Sequence, residues 1–304
     1  MNNMNTSEES VRSVAREGVT ISDLKWTTYI PIGASLALLA WLYMPIFQWW
    51  YRMWMADESY YSHGILVPFI SAFVVWLKRK QLKGIPVQAY APAYLVIIPN
   101  LLIVVFMFWA GALSVQGLVF PLLLGGLVLV ILGRSMAREL AFPIGYLYFM
   151  CALPGFILTI LSFRIQMLST MGGTVLLRAL TFDAYREGAT ITLPNIEVLV
   201  GAPCSGFRLL IALFALSVLF VYLKEGPWWG KAILIGLTLP LSLVLNSIRI
   251  AMIAIVGEFM GSDAMHAFHD YSGYLMLVLA FIALFWLARL VKCEKFNSML
   301  VSSQ

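Results

Sequence analysis

The chain has 304 residues, of which 61% are hydrophobic and only 12% are charged, and its formal net charge is +5. A soluble globular protein has about 25% charged residues, so this composition excludes an ordinary soluble domain and indicates a polytopic membrane protein. The positive charge is typical of basic loops on one side of a bilayer, and we expect no nucleic-acid partner.

Long apolar runs predict an all-α protein with about eight transmembrane helices. In chain order, the predicted spans are residues 28–47, 65–77, 94–112, 116–132, 140–161, 207–223, 232–256 and 274–290. The predicted organisation is an N-terminal tail of residues 1–26, a transmembrane domain of residues 27–292 and a C-terminal tail of residues 293–304.

The segment between the fifth and sixth spans is more polar. Residues 154–180 mix apolar side chains with arginines and hydroxyl groups, which favours a short interfacial amphipathic helix; an extra span is the alternative. Two β-branched runs, residues 190–193 and 196–200, flank a Pro-Asn pair and predict a short β-hairpin. The hairpin would deliver the chain to Cys204.

The distribution of lysine and arginine predicts the orientation in the membrane. If the N-terminus is cytoplasmic, the basic clusters at 78–83, 134–138, 224–231 and 289–295 all lie in the cytoplasm, as the positive-inside rule requires. An extra span at 154–180 would move the last two clusters outside. We therefore predict cytoplasmic termini and place Cys204 at the outer face of the membrane.

Residues 201–208 read Gly-Ala-Pro-Cys-Ser-Gly-Phe-Arg and precede the sixth span. We expect Cys204 in the first turn of a helix, where unpaired N–H groups and the helix dipole favour a thiolate, with Arg208 one turn on as a nearby cation. The alternative is a small buried cysteine followed by an arginine that reaches the interface. Cys151 and Cys293 have no such setting and are interpreted as structural or incidental.

Two further residues are expected at the depth of Cys204. Arg249 lies inside the seventh span, where a charge is costly and usually functional, and Asn246 lies on the same helix face and can orient it. His269 lies in the predicted loop before the eighth span and could take a thiol proton. A two-histidine metal site with His266 is conceivable, but no acidic or cysteine partner has ligand spacing. We therefore expect no metal and no cofactor.

Three sequence blocks carry a resemblance to a known family. They are Ala202-Pro203-Cys204-Ser205-Gly206, Asn246-Ser247-Ile248-Arg249-Ile250 and His269-Asp270-Tyr271-Ser272-Gly273. In this order they resemble the signature blocks of the exosortase/archaeosortase family. Two further blocks of the family are resembled by Tyr61-Ser62-His63-Gly64 with Pro68, and by Arg186-Glu187-Gly188 with Leu193-Pro194-Asn195 and Glu197-Val198. The resemblance extends from about residue 45 to residue 290.

Members of this family are multi-pass membrane cysteine enzymes that are similar to sortases in chemistry but not in fold. The resemblance implies Cys204 as nucleophile, with Arg249 and His269 as its catalytic partners. We expect Asn246, Arg208, Ser205 and Gly206 to act as supporting residues. It also implies substrates of the PEP-CTERM type, often encoded beside exopolysaccharide genes. These exported proteins end in a short motif, an apolar helix and a basic tail.

The resemblance further implies cleavage through a thioester acyl-enzyme and transfer to an amine acceptor, linked to lipid or polysaccharide, or hydrolysis by water. The enzyme would lie in a bacterial inner membrane with its site on the periplasmic side. The alternative from another class is a transporter or flippase in which Asn246, Arg249 and Pro240 line a pathway. A transporter has no need for the thiol of Cys204.

Overall fold

The computed structural model describes residues 26–56 and 59–296. The described chain divides into two compact units, one of residues 26–52 and 65–152 and the other of residues 53–64 and 153–296. Nearly all of the predicted N-terminal tail, residues 1–25, and residues 297–304 of the predicted C-terminal tail lie outside the described residues. Each unit is mainly helical.

The first unit is built from apolar helices. Its elements are α1 (Trp26–Leu42), α2 (Met44–Met55), α3 (Leu66–Leu77), α4 (Arg79–Lys83), α5 (Tyr94–Trp109), α6 (Leu113–Leu132) and α7 (Arg134–Tyr146), with 3-10 turns at Ala91–Ala93 and Leu147–Met150. Helix α6 ends at Gly133, whose φ of 91° is a conformation that glycine adopts without strain. A Cβ at this position would also collide with the carbonyl oxygen of Gln88.

Polar groups in the core of the first unit are paired with backbone atoms. Gln116 is 1% exposed, and its Nε2 donates to the carbonyl oxygen of Val104 at 3.1 Å. The hydroxyl of Tyr43 donates to the carbonyl oxygen of Gln116 at 3.3 Å, and Ser71 Oγ donates to that of Pro143 at 2.7 Å. Because a buried polar group without a partner is costly, these bonds let polar residues lie between apolar helices.

The second unit combines helices with a small sheet. Its elements are a 3-10 turn (Ser62–Ile65, of which the first three residues belong here), α8 (Gly155–Ala179), β1 (Tyr185–Glu187), β2 (Thr190–Thr192), β3 (Glu197–Leu199), a second 3-10 turn (Ala202–Cys204), α9 (Phe207–Leu223), α10 (Trp228–Gly236) and α11 (Thr238–Leu290). The strands form one antiparallel sheet in the order β1-β2-β3, in which Tyr185 lies opposite Thr192 and Thr190 opposite Leu199. The sequence predicted two of these strands but not β1.

Helix α11 has 53 residues and is broken at Gly261, which has φ 83° and ψ 178°. On a straight helix, Arg249 and Ser272 would be about 35 Å apart at 1.5 Å per residue. Their side chains are instead hydrogen-bonded at 2.9 Å, so the helix folds back at Gly261 into two arms. The predicted loop 257–270 is therefore wrong: apart from this break it is helical.

Helix α8 packs closely against the first arm of α11. A Cβ at Gly173 would lie 2.8 Å from Ile250, and one at Gly172 would collide with Ser247. Glycine at both positions lets the two helix backbones approach each other. Ser169 and Thr170 on the same helix are fully buried, so part of the polar surface of residues 154–180 faces the protein core.

The helices differ from the predicted spans in number and position. Among the described residues, Ala91–Trp109, Leu113–Ile131, Gly155–Ala179 and Trp228–Leu290 are long and apolar enough to cross a membrane, and the bent pair Ile32–Leu42 and Met44–Met55 could provide a fifth span. The eight predicted spans are therefore not confirmed. The predicted fifth span, 140–161, is not one helix, because α7 ends at Tyr146 and α8 begins only after Pro154, which has no N–H to continue a helix.

Candidate active site

Cys204 ends the short turn that joins the sheet to α9. Its backbone N–H donates to the carbonyl oxygen of Gly201 at 3.0 Å, and α9 begins three residues later at Phe207. The expected position in the first helical turn is therefore wrong, since a 3-10 turn and Gly206 separate the thiol from the helix. Cys204 is 9% exposed and belongs to the buried core of the second unit.

The thiol of Cys204 contacts the imidazole of His269. Its Sγ pairs with His269 Nε2, while Nδ1 of the same ring lies 3.3 Å from Oδ1 of Asp270. A neutral imidazole has one N–H and one acceptor nitrogen, so donation from Nδ1 to the carboxylate leaves Nε2 to accept the thiol proton. Because the Asp270 side chain is 79% exposed, its pairing with His269 is screened by solvent and is weak.

Arg249 is held by the second arm of α11. Its Nε donates to Ser272 Oγ at 2.9 Å, and its Nη2 donates to the carbonyl oxygen of His269 at 3.1 Å. Ser272 Oγ in turn donates to the same carbonyl oxygen at 2.9 Å. Among the described residues, these bonds use two of the five guanidinium N–H groups, and three remain for a substrate.

Asn246 fixes the turn that carries the thiol. It is 1% exposed, and its Nδ2 donates to the carbonyl oxygen of Cys204 at 2.9 Å. The amide group also lies against Gly206, where a Cβ would come within 2.7 Å of Asn246 Cγ. With φ 86°, Gly206 meets two demands at once, a left-handed backbone and a close approach. Asn246 thus orients the cysteine turn, whereas the sequence analysis expected it to orient the side chain of Arg249.

Ser205 is fully buried beside the thiol. Its Oγ accepts the backbone N–H of Phe207 at 3.3 Å, and its carbonyl oxygen accepts the hydroxyl of Ser169 at 3.4 Å. The bond to Ser169 ties the cysteine turn to α8. Ser205 therefore bonds to the start of α9 through its side chain and to α8 through its carbonyl oxygen.

Arg208 was expected to add positive charge next to Cys204. Its Nε donates to the carbonyl oxygen of Ser59 at 2.6 Å, and the neighbouring Tyr60 donates its hydroxyl to the carbonyl oxygen of Ala202 at 3.1 Å. Arg208 thus helps to hold residues 59–60 against the turn. It is also close enough to Arg249 for electrostatic repulsion between the two guanidinium groups.

The structure brings together Cys204, His269, Arg249 and Asn246, all within the second unit. It adds Ser272, which belongs to the third sequence block, and Ser169 and Tyr60, which no motif singled out as site residues. His266 is exposed on the same arm as His269. The described residues contain no group of three or more His, Cys, Asp and Glu side chains that could hold a metal ion.

Comparison with known proteins identifies the family. A model of the transmembrane exosortase family matches residues 49–286, which is more than half of the chain and includes every residue of the site. The chain therefore belongs to the transmembrane exosortase family and is a membrane protein. No curated protein and no solved structure shows significant similarity to it.

Proposed function

We propose that this protein is a membrane-embedded cysteine transpeptidase that cleaves the C-terminal sorting signals of exported proteins of the PEP-CTERM type. The observation that carries the proposal is the contact between Cys204 Sγ and His269 Nε2 beside the guanidinium group of Arg249. A thiol paired with a general base and a fixed cation is the arrangement that acyl transfer requires. The family assignment supports the same reaction class.

The first half-reaction forms a thioester. His269 takes the thiol proton, and the thiolate of Cys204 attacks the carbonyl carbon of the scissile peptide. The N–H groups of Arg249 that its protein partners leave available stabilise the developing oxyanion. The C–N bond then breaks, the leaving amine takes the proton from His269, and the acyl group stays on sulfur.

The second half-reaction releases the acyl group. An acceptor amine, linked to lipid or polysaccharide, gives its proton to His269 and attacks the thioester carbon. The C–S bond breaks and the thiol is regenerated. Water in place of the amine would give hydrolysis, so the same site supports a protease and a transpeptidase.

We further propose that the site lies on the periplasmic side of a bacterial inner membrane, with cytoplasmic termini and eight crossings. The fifth crossing stays in the predicted region. Glu139 pairs with Lys78 at the C-terminal end of α3, and the carbonyl oxygen of Pro143 accepts a hydrogen bond from Ser71, so α7 runs antiparallel to α3. The N–H of Leu153 then donates to the hydroxyl of Tyr61, just before the start of α3, so α8 begins on the outer side and lies there as an interfacial helix. The order of sides along the chain is unchanged. Helices α3 and α9 are shorter apolar helices that supply two crossings, and the two arms of α11 supply the last two. The basic residues then keep the cytoplasmic positions that the positive-inside rule favours.

A reporter that is active only in the periplasm tests this orientation. Inserted between residues 182 and 188, it should be active, and fused after Gln304 or inserted between residues 78 and 83, it should be silent. A silent reporter at the first position, with the fusion protein present in membranes, would contradict the proposed side of the site.

A transporter or flippase has less support. The residues that would line a pathway, Asn246 and Arg249, are engaged by the turn of Cys204 and by Ser272 and His269. The two functions differ in their need for the thiol. Alkylation of Cys204 stops an enzyme, whereas a transporter keeps working.

Trapping of the thioester tests the proposed chemistry. Membranes that contain the enzyme and an exported protein with a C-terminal sorting signal from the same genome are treated with hydroxylamine, which cleaves thioesters. We expect wild-type enzyme to release the cleaved protein as a hydroxamate, and Cys204→Ala to release none. Equal hydroxamate formation by both would contradict the proposal.

A further inference from the structure

The strand β3 is an edge of the sheet and leads directly into the candidate nucleophile. The sheet order is β1-β2-β3, so only one side of β3 is paired with a strand. The backbone stays extended at Gly201, with φ −69° and ψ 171°, and the next turn ends at Cys204. Glu197 and Leu199 are both exposed, Leu199 to 72%.

The register shows which backbone groups of β3 point outward. Leu193 N–H donates to the carbonyl oxygen of Ile196 at 2.9 Å, and Val200 N–H donates to that of Ala189 at 3.0 Å. Hydrogen-bonded and non-hydrogen-bonded pairs alternate along an antiparallel ladder. Val198 therefore directs its N–H and C=O groups toward β2.

Glu197 and Leu199 lie in non-hydrogen-bonded pairs with β2, so their N–H and C=O groups point away from it. Within the described parts of the chain, no other backbone or side chain bonds to these groups. They form a row of two donors and two acceptors at the spacing of a strand. The chemical complement of such a row is the backbone of another extended peptide.

We propose that this outer edge of β3 docks the substrate. The cleavage segment of the exported protein binds as an extended peptide and adds a fourth strand, about 4.8 Å from β3, through the outward groups of Glu197 and Leu199. This inference rests on the proposed function. Because β3 leads into the Cys204 turn, the added strand carries the scissile peptide toward the thiol, and its main chain supplies affinity that does not depend on side-chain identity.

Backbone N-methylation of the substrate gives a test that leaves the enzyme unchanged. The probe is a synthetic peptide that spans the cleavage motif of an exported protein and that wild-type membranes cleave, with one N-methyl group moved along its backbone. Only alternate residues of an added strand turn their N–H groups toward β3. We expect kcat/KM to fall about tenfold for methyl groups at two positions separated by one residue and to change much less for the residue between them.

A variant of the enzyme gives the complementary test. Leu199→Pro removes the outward N–H of Leu199 without removing a bond to β2, and we expect kcat/KM to fall about tenfold. Leu199→Ala keeps the N–H and is expected to lose much less. The substrate positions at which N-methylation lowers kcat/KM show whether the added strand pairs with β3 in the antiparallel or the parallel direction.

The outcomes separate this inference from the proposed function. If membranes with Cys204→Ala cleave the peptide as well as wild-type membranes do, both the proposed function and the docking strand are overturned. Cleavage with no period of two in the methyl scan, or equal effects of Leu199→Pro and Leu199→Ala, would overturn the docking strand alone. A flat scan with loss of self-association in Leu199→Pro would assign the edge to a second copy of the chain instead.

Discussion

Cys151 and Cys204 are both buried cysteines, yet their surroundings differ. Cys151 lies in the first unit, where its Sγ donates to the carbonyl oxygens of Gly117 at 3.3 Å and Leu147 at 3.4 Å. Cys204 instead faces the imidazole of His269, with Arg249 nearby.

The comparison shows that burial alone says little about thiol chemistry. Carbonyl oxygens accept a hydrogen bond from a thiol but are too weakly basic to remove its proton. The absence of water around a buried sulfur also disfavours a charged thiolate. An imidazole nitrogen can take the proton and become the counter-ion. The neighbours of each sulfur therefore decide whether it is inert or a nucleophile.

The largest expected effect is at the sulfur of Cys204. Cys204→Ala removes the nucleophile, and we expect processing of an exported substrate to fall by about 10³-fold or more. Cys204→Ser should be nearly as impaired, because a hydroxyl group is a much weaker nucleophile than a thiolate. Accumulation of uncleaved substrate in membranes measures both, and near-normal processing by Cys204→Ala would remove the distinction between the two cysteines.

The second effect concerns the shape of the cation. Arg249→Lys keeps the charge but loses the planar guanidinium group that bonds Ser272 and the His269 carbonyl while offering further N–H groups. We expect kcat to fall by about 10²–10³-fold, in the range for loss of an oxyanion donor. A lysine variant with wild-type kcat would mean that only the charge matters.

The third effect separates two histidines on the same arm of α11. His269→Ala removes the partner of the thiol and should reduce processing by about 10²-fold, with residual turnover from any thiolate that Arg249 stabilises. His266 is exposed, so His266→Ala should stay within about twofold of wild type. The reverse pattern would show that the histidine is wrongly assigned. Loss in both variants with a response to added zinc would indicate a metal site.

Ser272 tests whether the site depends on the return of α11 at Gly261. Ser272→Ala removes the hydroxyl group between Arg249 and the His269 carbonyl, and we expect kcat to fall about tenfold with KM little changed. Ser272→Thr keeps the hydroxyl group and should recover most of the loss. Equal kcat in the two variants would show that the group is only structural.

The sequence predicted which polar side chains lie together better than it predicted the helices, while the catalytic roles of these residues stay a proposal. Spaced motifs singled out Cys204, Arg249 and His269 as candidates, because reactive residue types leave a local signal in the sequence. The contact between Arg249 and Ser272 depends on the return of the chain at Gly261, which no local pattern contains. The polarity of residues such as Ser169 does not show in the sequence that their side chains face the core, where they are buried. Strand β1 was missed because its three residues are all exposed and therefore have no alternating pattern.

The smallest effect is expected at the other two thiols. Cys151→Ser keeps a donor for the carbonyl oxygens of Gly117 and Leu147, and Cys293→Ser keeps one for that of Val291. Each serine is slightly smaller than cysteine and can still satisfy its neighbours, so the free energy of unfolding should change by only about 1 kcal/mol at each position. Processing by the double variant should stay within about twofold of wild type, measured with the substrate used for Cys204→Ala and normalised to the amount of protein in membranes. Loss of processing at a normal protein level would show that one of these buried thiols takes part in the reaction, and that facing carbonyl oxygens does not make a cysteine inert.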